Sequence, residues 1–162
     1  MTKALRHYGR ALLLAMWVGA AVFFAAVVAP GAFRVLPSTE LAGRVVAHAL
    51  TWLNLSGVML GSALAAWALI EMRGVRALRP SKIEHLALWT LFAATASTEF
   101  IINRRIARLR ADYSMASLAV TDPVRAEFGM LHGVSVIVFG IAFLAAVVAL
   151  LAAIRRAHKS AA

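Results

Sequence analysis

The sequence predicts an all-α integral membrane protein, with four transmembrane helices forming one antiparallel up-down bundle over residues 1–162. Three observations lead there. Hydrophobic residues make up 62% of the 162 and charged residues 15%, against the roughly half apolar and quarter charged of a soluble domain. Four apolar runs approach or exceed the roughly 20 residues needed to cross the hydrocarbon core. Most connections between them are short, which favours antiparallel neighbours.

The first run, Ala11–Phe33, is free of charge. Lys3, Arg6 and Arg10 precede it in the manner of a signal peptide, but the run is longer than a usual secretory h-region and Pro30 would follow the cleavage point, so a retained helix is expected. Next, Pro37-Ser38-Thr39-Glu40 breaks the chain and offers a capping box to a helix starting near Leu41. The second run, Val45–Ile70, carries His48 and Asn54 but no formal charge. Arg79-Pro80-Ser81-Lys82 makes a short turn, with His85 expected to cap the third helix.

The third run, His85–Asn103, contains Glu99. Ile102, Ile106 and Leu109 recur at helical spacing beyond it, and Arg104, Arg105, Arg108 and Arg110 cover other directions. An amphipathic extension outside the membrane follows from that pattern. Residues 112–123 form the one long loop, and Pro123 is expected at the first position of the fourth helix after a capping Asp122. The fourth run, Phe128–Ile154, has no Asp, Glu, Lys or Arg. Small-residue ladders at Gly57/Gly61/Ala65, Gly129/Gly133 and Ala15/Gly19 mark where helices could approach, within the bundle or in a homo-oligomer. No internal repeat is evident.

Four spans put both termini on one side. That side collects Lys3, Arg6, Arg10, Arg73, Arg76, Arg79, Lys82, Arg155, Arg156 and Lys159, and the other Arg34, Arg44, Arg104, Arg105, Arg108, Arg110 and Arg125. By the positive-inside rule both termini are cytoplasmic, in a multi-pass protein of the cell (inner) membrane. The net charge of +10 is thereby assigned to topology and lipid headgroups rather than nucleic acid. Without cysteine, disulfides, thiolate metal sites and cysteine nucleophiles are excluded.

Topology then sorts polar residues by depth. Arg34, His48, Glu99, Asn103, Arg125, His132 and Ser135 all fall at the outer end, delivered by four separate segments. Thr95, Glu99 and Asn103 share one helical stripe, as do Phe128, His132, Ser135 and Phe139. A carboxylate in hydrocarbon is offset by pairing with a cation, so Glu99 is expected to meet Arg34, His48, His132 or Arg125. Three readings stand for this group: solvated side chains in the headgroup zone, a structural hydrogen-bond network, or a ligand site. As a ligand site, His48, Glu99 and His132 would suit a transition metal, and histidine ligands would suit haem. No cofactor is required by the pattern.

Trp17-Val18-Gly19, Ala29-Pro30-Gly31-Ala32-Phe33, Ala42-Gly43-Arg44 and Phe128-Gly129-Met130-Leu131-His132-Gly133-Val134-Ser135 occur in that order. In this they resemble the small four-helix membrane family that includes transmembrane protein 205. The resemblance implies a four-helix membrane fold with transport or metal handling, and marks Pro30, Phe33, Phe128, His132 and Ser135. A lesser likeness to the copper-resistance D and HemJ-type bundles lacks their histidine ahead of the W-x-G element, since residues 11–16 contain none.

With no HExxH, GxSxG or phosphate-binding glycine loop, enzyme chemistry has no signature here. The expected function is therefore non-enzymatic: a small-solute or metal-ion transporter or accessory protein. A haem- or metal-binding redox protein and an oligomerising scaffold are the alternatives.

Overall fold

The computed structural model describes residues 3–72, 80–115 and 117–161. Arg73, Arg76 and Arg79 lie outside the described residues, as do the side chains of Lys3, Arg6, His7 and Lys159. The four expected spans are present as helices, each longer than its apolar run: 8–35, 39–72, 82–112 and 123–158. Among the described residues there are no strands. Backbone groups in lipid have no water to bond, and helices satisfy them internally.

Two of the four helices are not uniform. The first runs Lys3–Phe23, passes through a π-helical turn at Phe24–Val28 and resumes as Ala29–Val35. Pro30 explains the turn, because proline donates no hydrogen bond and its ring clashes with the carbonyl four residues back. Widening the preceding turn, so that the Ala29 N–H donates to the Phe24 carbonyl, carries the helix past it. In the third helix, Lys82–Ser97 leads into a π turn at Thr98–Asn103 and then Arg104–Asp112. There the Thr95 and Thr98 hydroxyls donate back to the Leu91 and Ala94 carbonyls, which competes with the regular helical pattern.

The termini obey local chemistry with two corrections. Asp122 Oδ1 accepts from the Val124 N–H at 2.8 Å ahead of Pro123, as expected. Ser38 Oγ accepts from the Leu41 N–H at 3.2 Å, but the helix begins at Thr39. Glu40 does not complete a reciprocal box, because it pairs with Arg44 one turn on, at 2.9 Å. The third helix is capped by Ser81, whose Oγ accepts from the Glu84 N–H at 3.0 Å; His85 instead accepts from the Trp89 indole at 3.0 Å.

Each helix packs against its neighbours in chain order and the fourth closes on the first. Leu14, Trp17, Leu64, Leu88 and Leu91 fill the centre against an alanine face of the fourth helix, Ala142, Ala145, Ala146 and Ala149. Lipid tails are as apolar as leucine, so such helices are held by close packing. Gly57 and Gly61 are consumed in this way. A methyl on Gly57 would lie 2.7 Å from Thr95 Cγ2, and one on Gly61 2.9 Å from the Phe92 backbone nitrogen. Gly129 and Gly133, by contrast, have nothing within 4 Å of an added methyl.

An internal correspondence emerges that the sequence does not display. Buried positions Arg10, Leu14, Trp17 and Ala21 of the first helix match buried Glu84, Leu88, Leu91 and Thr95 of the third at one constant offset, and the π turns begin at Phe24 and Thr98 by the same offset. The first and third helices thus share the spacing of their buried positions, with residue types that differ except at Leu14 and Leu88.

Candidate functional site

The two ends of the bundle, named inner for the end that carries both termini and outer for the opposite one, handle charge differently. At the inner end Arg10, Glu71, Glu84 and Arg156 come one from each helix. Arg10 Nη1 donates to Glu84 Oε1 at 3.1 Å, and Arg156 Nη2 donates to the same oxygen at 3.0 Å. Arg156 Nη1 donates to Glu71 Oε2 at 3.1 Å. Arg10 Nη2 closes the ring 3.2 Å from that oxygen, an ion-pair contact without hydrogen-bond geometry. Arg10 and Glu84 are wholly buried, and the Trp67 ring lies under the Arg10 guanidinium at 5.0 Å.

Among the described residues, two cations and two anions alternate around a ring. Sequence reasoning assigned Arg10 and Arg156 to topology and missed it. The available signal was the pair of acids, Glu71 and Glu84, that directly flank the second and third apolar runs on a side otherwise rich in Lys and Arg.

The outer end centres on Glu99, carried by the π turn of the third helix. Its Oε2 accepts from Asn103 Nδ2 at 2.9 Å and from Asn54 Nδ2 at 3.4 Å. Among the described residues no Arg, Lys or His forms an ion pair with it, and none of the four expected cations does so. Asn54 is itself wholly buried, and its Oδ1 has no hydrogen-bond donor. Glu99 and Asn103 line a cavity of about 360 Å³ between the second and third helices, with Arg44, His48, Thr51, Arg104 and Arg110.

A second cavity of about 320 Å³ draws on all four helices. Its lining includes Phe33, Glu40, Arg44, Arg110, Arg125, Phe128 and His132. Arg110 separates the two cavities. Half-buried, it donates to the Gly43 carbonyl at 3.1 Å and stands over Phe128 at 5.1 Å.

The residues singled out from the sequence divide accordingly. Glu99, Asn103 and His48 share the first cavity, and His132 and Arg125 line the second. The His48 Nε2 accepts from the Trp52 indole at 3.3 Å, while His132 stacks on Phe128 with rings 3° from parallel. Arg125 donates to the Leu118 carbonyl. Ser135 is buried and donates to its own helix at the His132 carbonyl, 2.7 Å away. Arg34 is exposed and lines neither cavity. Among the described residues no three His, Asp or Glu side chains gather as a metal site would need. Arg110 and Arg44, which line both cavities, and Asn54, which donates to Glu99, are the residues that the outer-end expectation left out.

A family model for a domain of unknown function, DUF4149, matches residues 12–115. The chain belongs to the DUF4149 family. No curated protein and no solved structure matches it significantly. The DUF4149 match spans most of the first helix, all of the second and third, and the first residues of the loop that follows. The Glu99 cavity thus lies wholly within the DUF4149 region, whereas Phe128, His132 and Ser135 fall beyond it.

Proposed function

We propose that this DUF4149 protein is a non-enzymatic membrane protein that binds a small solute at its outer end, as a transporter or the accessory subunit of one. The observation that carries the reading is Glu99, a half-buried carboxylate near the end of an apolar span with amide partners but no ion-pairing side chain among the described residues. Ionisable groups at such positions are costly, and where the protein does not neutralise them a ligand can. A cavity of this volume, bordered by convergent polar groups, is the size small-molecule sites take. The transmembrane protein 205-like motifs fit the same class. A resident metal on His48, Glu99 and His132 is the weaker alternative, because the two histidines line different cavities and three arginines border the carboxylate's own.

Both termini face the cytoplasm in this reading, with the cavity opening outward from the cell membrane. The test is thermal unfolding of purified protein against small cations, anions, zwitterions and divalent metals. At least one class raises the midpoint of the wild type and leaves Glu99→Gln unmoved. Stabilisation that is identical in the two proteins for every class would overturn the proposal.

A further inference from the structure

The Glu99 cavity has two kinds of charge held apart, and that separation identifies its ligand. Its negative pole is Glu99, bonded by the amides of Asn103 and Asn54. Its positive rim is Arg44, Arg104 and Arg110. Both poles line one cavity, yet among the described residues no arginine of the rim forms an ion pair with Glu99. Each arginine has another contact instead. Arg44 is bonded to Glu40 at 2.9 Å, Arg104 stands over the Phe100 ring at 5.4 Å, and Arg110 is held by the Gly43 carbonyl and Phe128.

A lone anion would satisfy the rim and leave Glu99 unmatched; a lone cation would do the reverse and face three arginines. We propose that the cavity takes a zwitterion, with an ammonium on Glu99 and a phosphate or carboxylate on Arg104 and Arg110. This rests on the solute-binding reading above and specifies its substrate class. The cavity lies between two helices at the level where the third leaves its apolar run. The same chemistry could therefore arrive as a phosphoethanolamine lipid headgroup or as a free zwitterion.

Phosphoethanolamine is the probe, compared with inorganic phosphate, ethylammonium and a short-chain phosphatidylethanolamine, on delipidated full-length protein in detergent with binding read by titration. Phosphoethanolamine binds the wild type at least tenfold more tightly than phosphate or ethylammonium. Glu99→Gln brings it to the level of phosphate, a loss of roughly tenfold or more for one charge-assisted contact. Arg104→Gln with Arg110→Gln brings it to the level of ethylammonium. Tighter binding of the short-chain lipid than of free phosphoethanolamine identifies a headgroup as the source, and equal binding identifies a soluble solute; both outcomes support the site.

Phosphate or ethylammonium alone matching phosphoethanolamine, with Glu99 still required, overturns the zwitterion and leaves solute binding standing. No probe binding to protein that unfolds cooperatively overturns the zwitterion too, and the panel of metals and other solutes then decides the broader reading. A circular dichroism spectrum and melting curve for each variant show that lost binding is not lost folding.

Discussion

The inner and outer ends of the bundle stand fifteen residues apart on the third helix, from Glu84 to Glu99, about 22 Å at 1.5 Å per residue. Both carry a glutamate, and the glutamates are treated in opposite ways. Glu84 is wholly buried and met by two arginines in a ring, each contact 3.2 Å or shorter. Glu99 is half-buried, bonded among the described residues only by amides, and beside a cavity. A buried charge that is fully partnered holds structure, and removing one partner is costly. A charge left without an ion-pairing partner lowers stability where it sits, the usual signature of a site kept for something other than folding.

Breaking the inner ring should give the largest effect. Arg10→Met leaves two carboxylates sharing one arginine in the described ring, and a loss of about 3–5 kcal/mol is expected, read as a drop in unfolding midpoint or in folded yield from membranes. The ring geometry makes a sharper prediction. Exchanging Arg10 and Glu84 alone sets glutamate beside Glu71 and arginine beside Arg156, so the double swap fails to rescue, whereas reversing all four residues restores most of the stability. Rescue by the double swap would show an isolated pair rather than a ring.

The outer end offers the contrast with the smallest effect. Glu40 and Arg44 form an exposed pair one turn apart, with side chains 51% and 67% accessible, where solvent screening leaves such pairs worth about 0.3–0.5 kcal/mol. Glu40→Gln should therefore move the unfolding midpoint very little, and a loss approaching that of Arg10→Met would erase the distinction between the ends.

How much of this was legible in the sequence follows from which interactions are local. The four spans could be read because apolar run length is set by membrane thickness. The helices are longer than the apolar runs because caps and, in the third, the amphipathic continuation through Ile106 and Leu109 that the sequence also predicted extend the backbone past the hydrocarbon. Asp122 and Pro123 could be placed, since a cap involves residues two or three apart. The ring of Arg10, Glu71, Glu84 and Arg156 could not, because its hydrogen bonds join residues more than seventy positions apart. Glu99 was recognised as a charge needing a partner. Its neighbours proved to be Asn54 and Asn103, because the π turn of the third helix and the glycine-mediated approach of the second set that geometry.

With the proposed function, the inner glutamate holds the fold and the outer one serves a ligand. Thermal unfolding of Glu84→Gln and Glu99→Gln side by side, in one detergent and without added solute, tests it most directly. Glu84→Gln is predicted to fall well below the wild type, because two arginines lose half of their countercharge. Glu99→Gln is predicted to unfold at or above the wild-type midpoint, because an uncompensated charge is removed and an amide oxygen remains to accept from Asn103. Equal losses in the two variants, or a larger loss in Glu99→Gln, would contradict the claim.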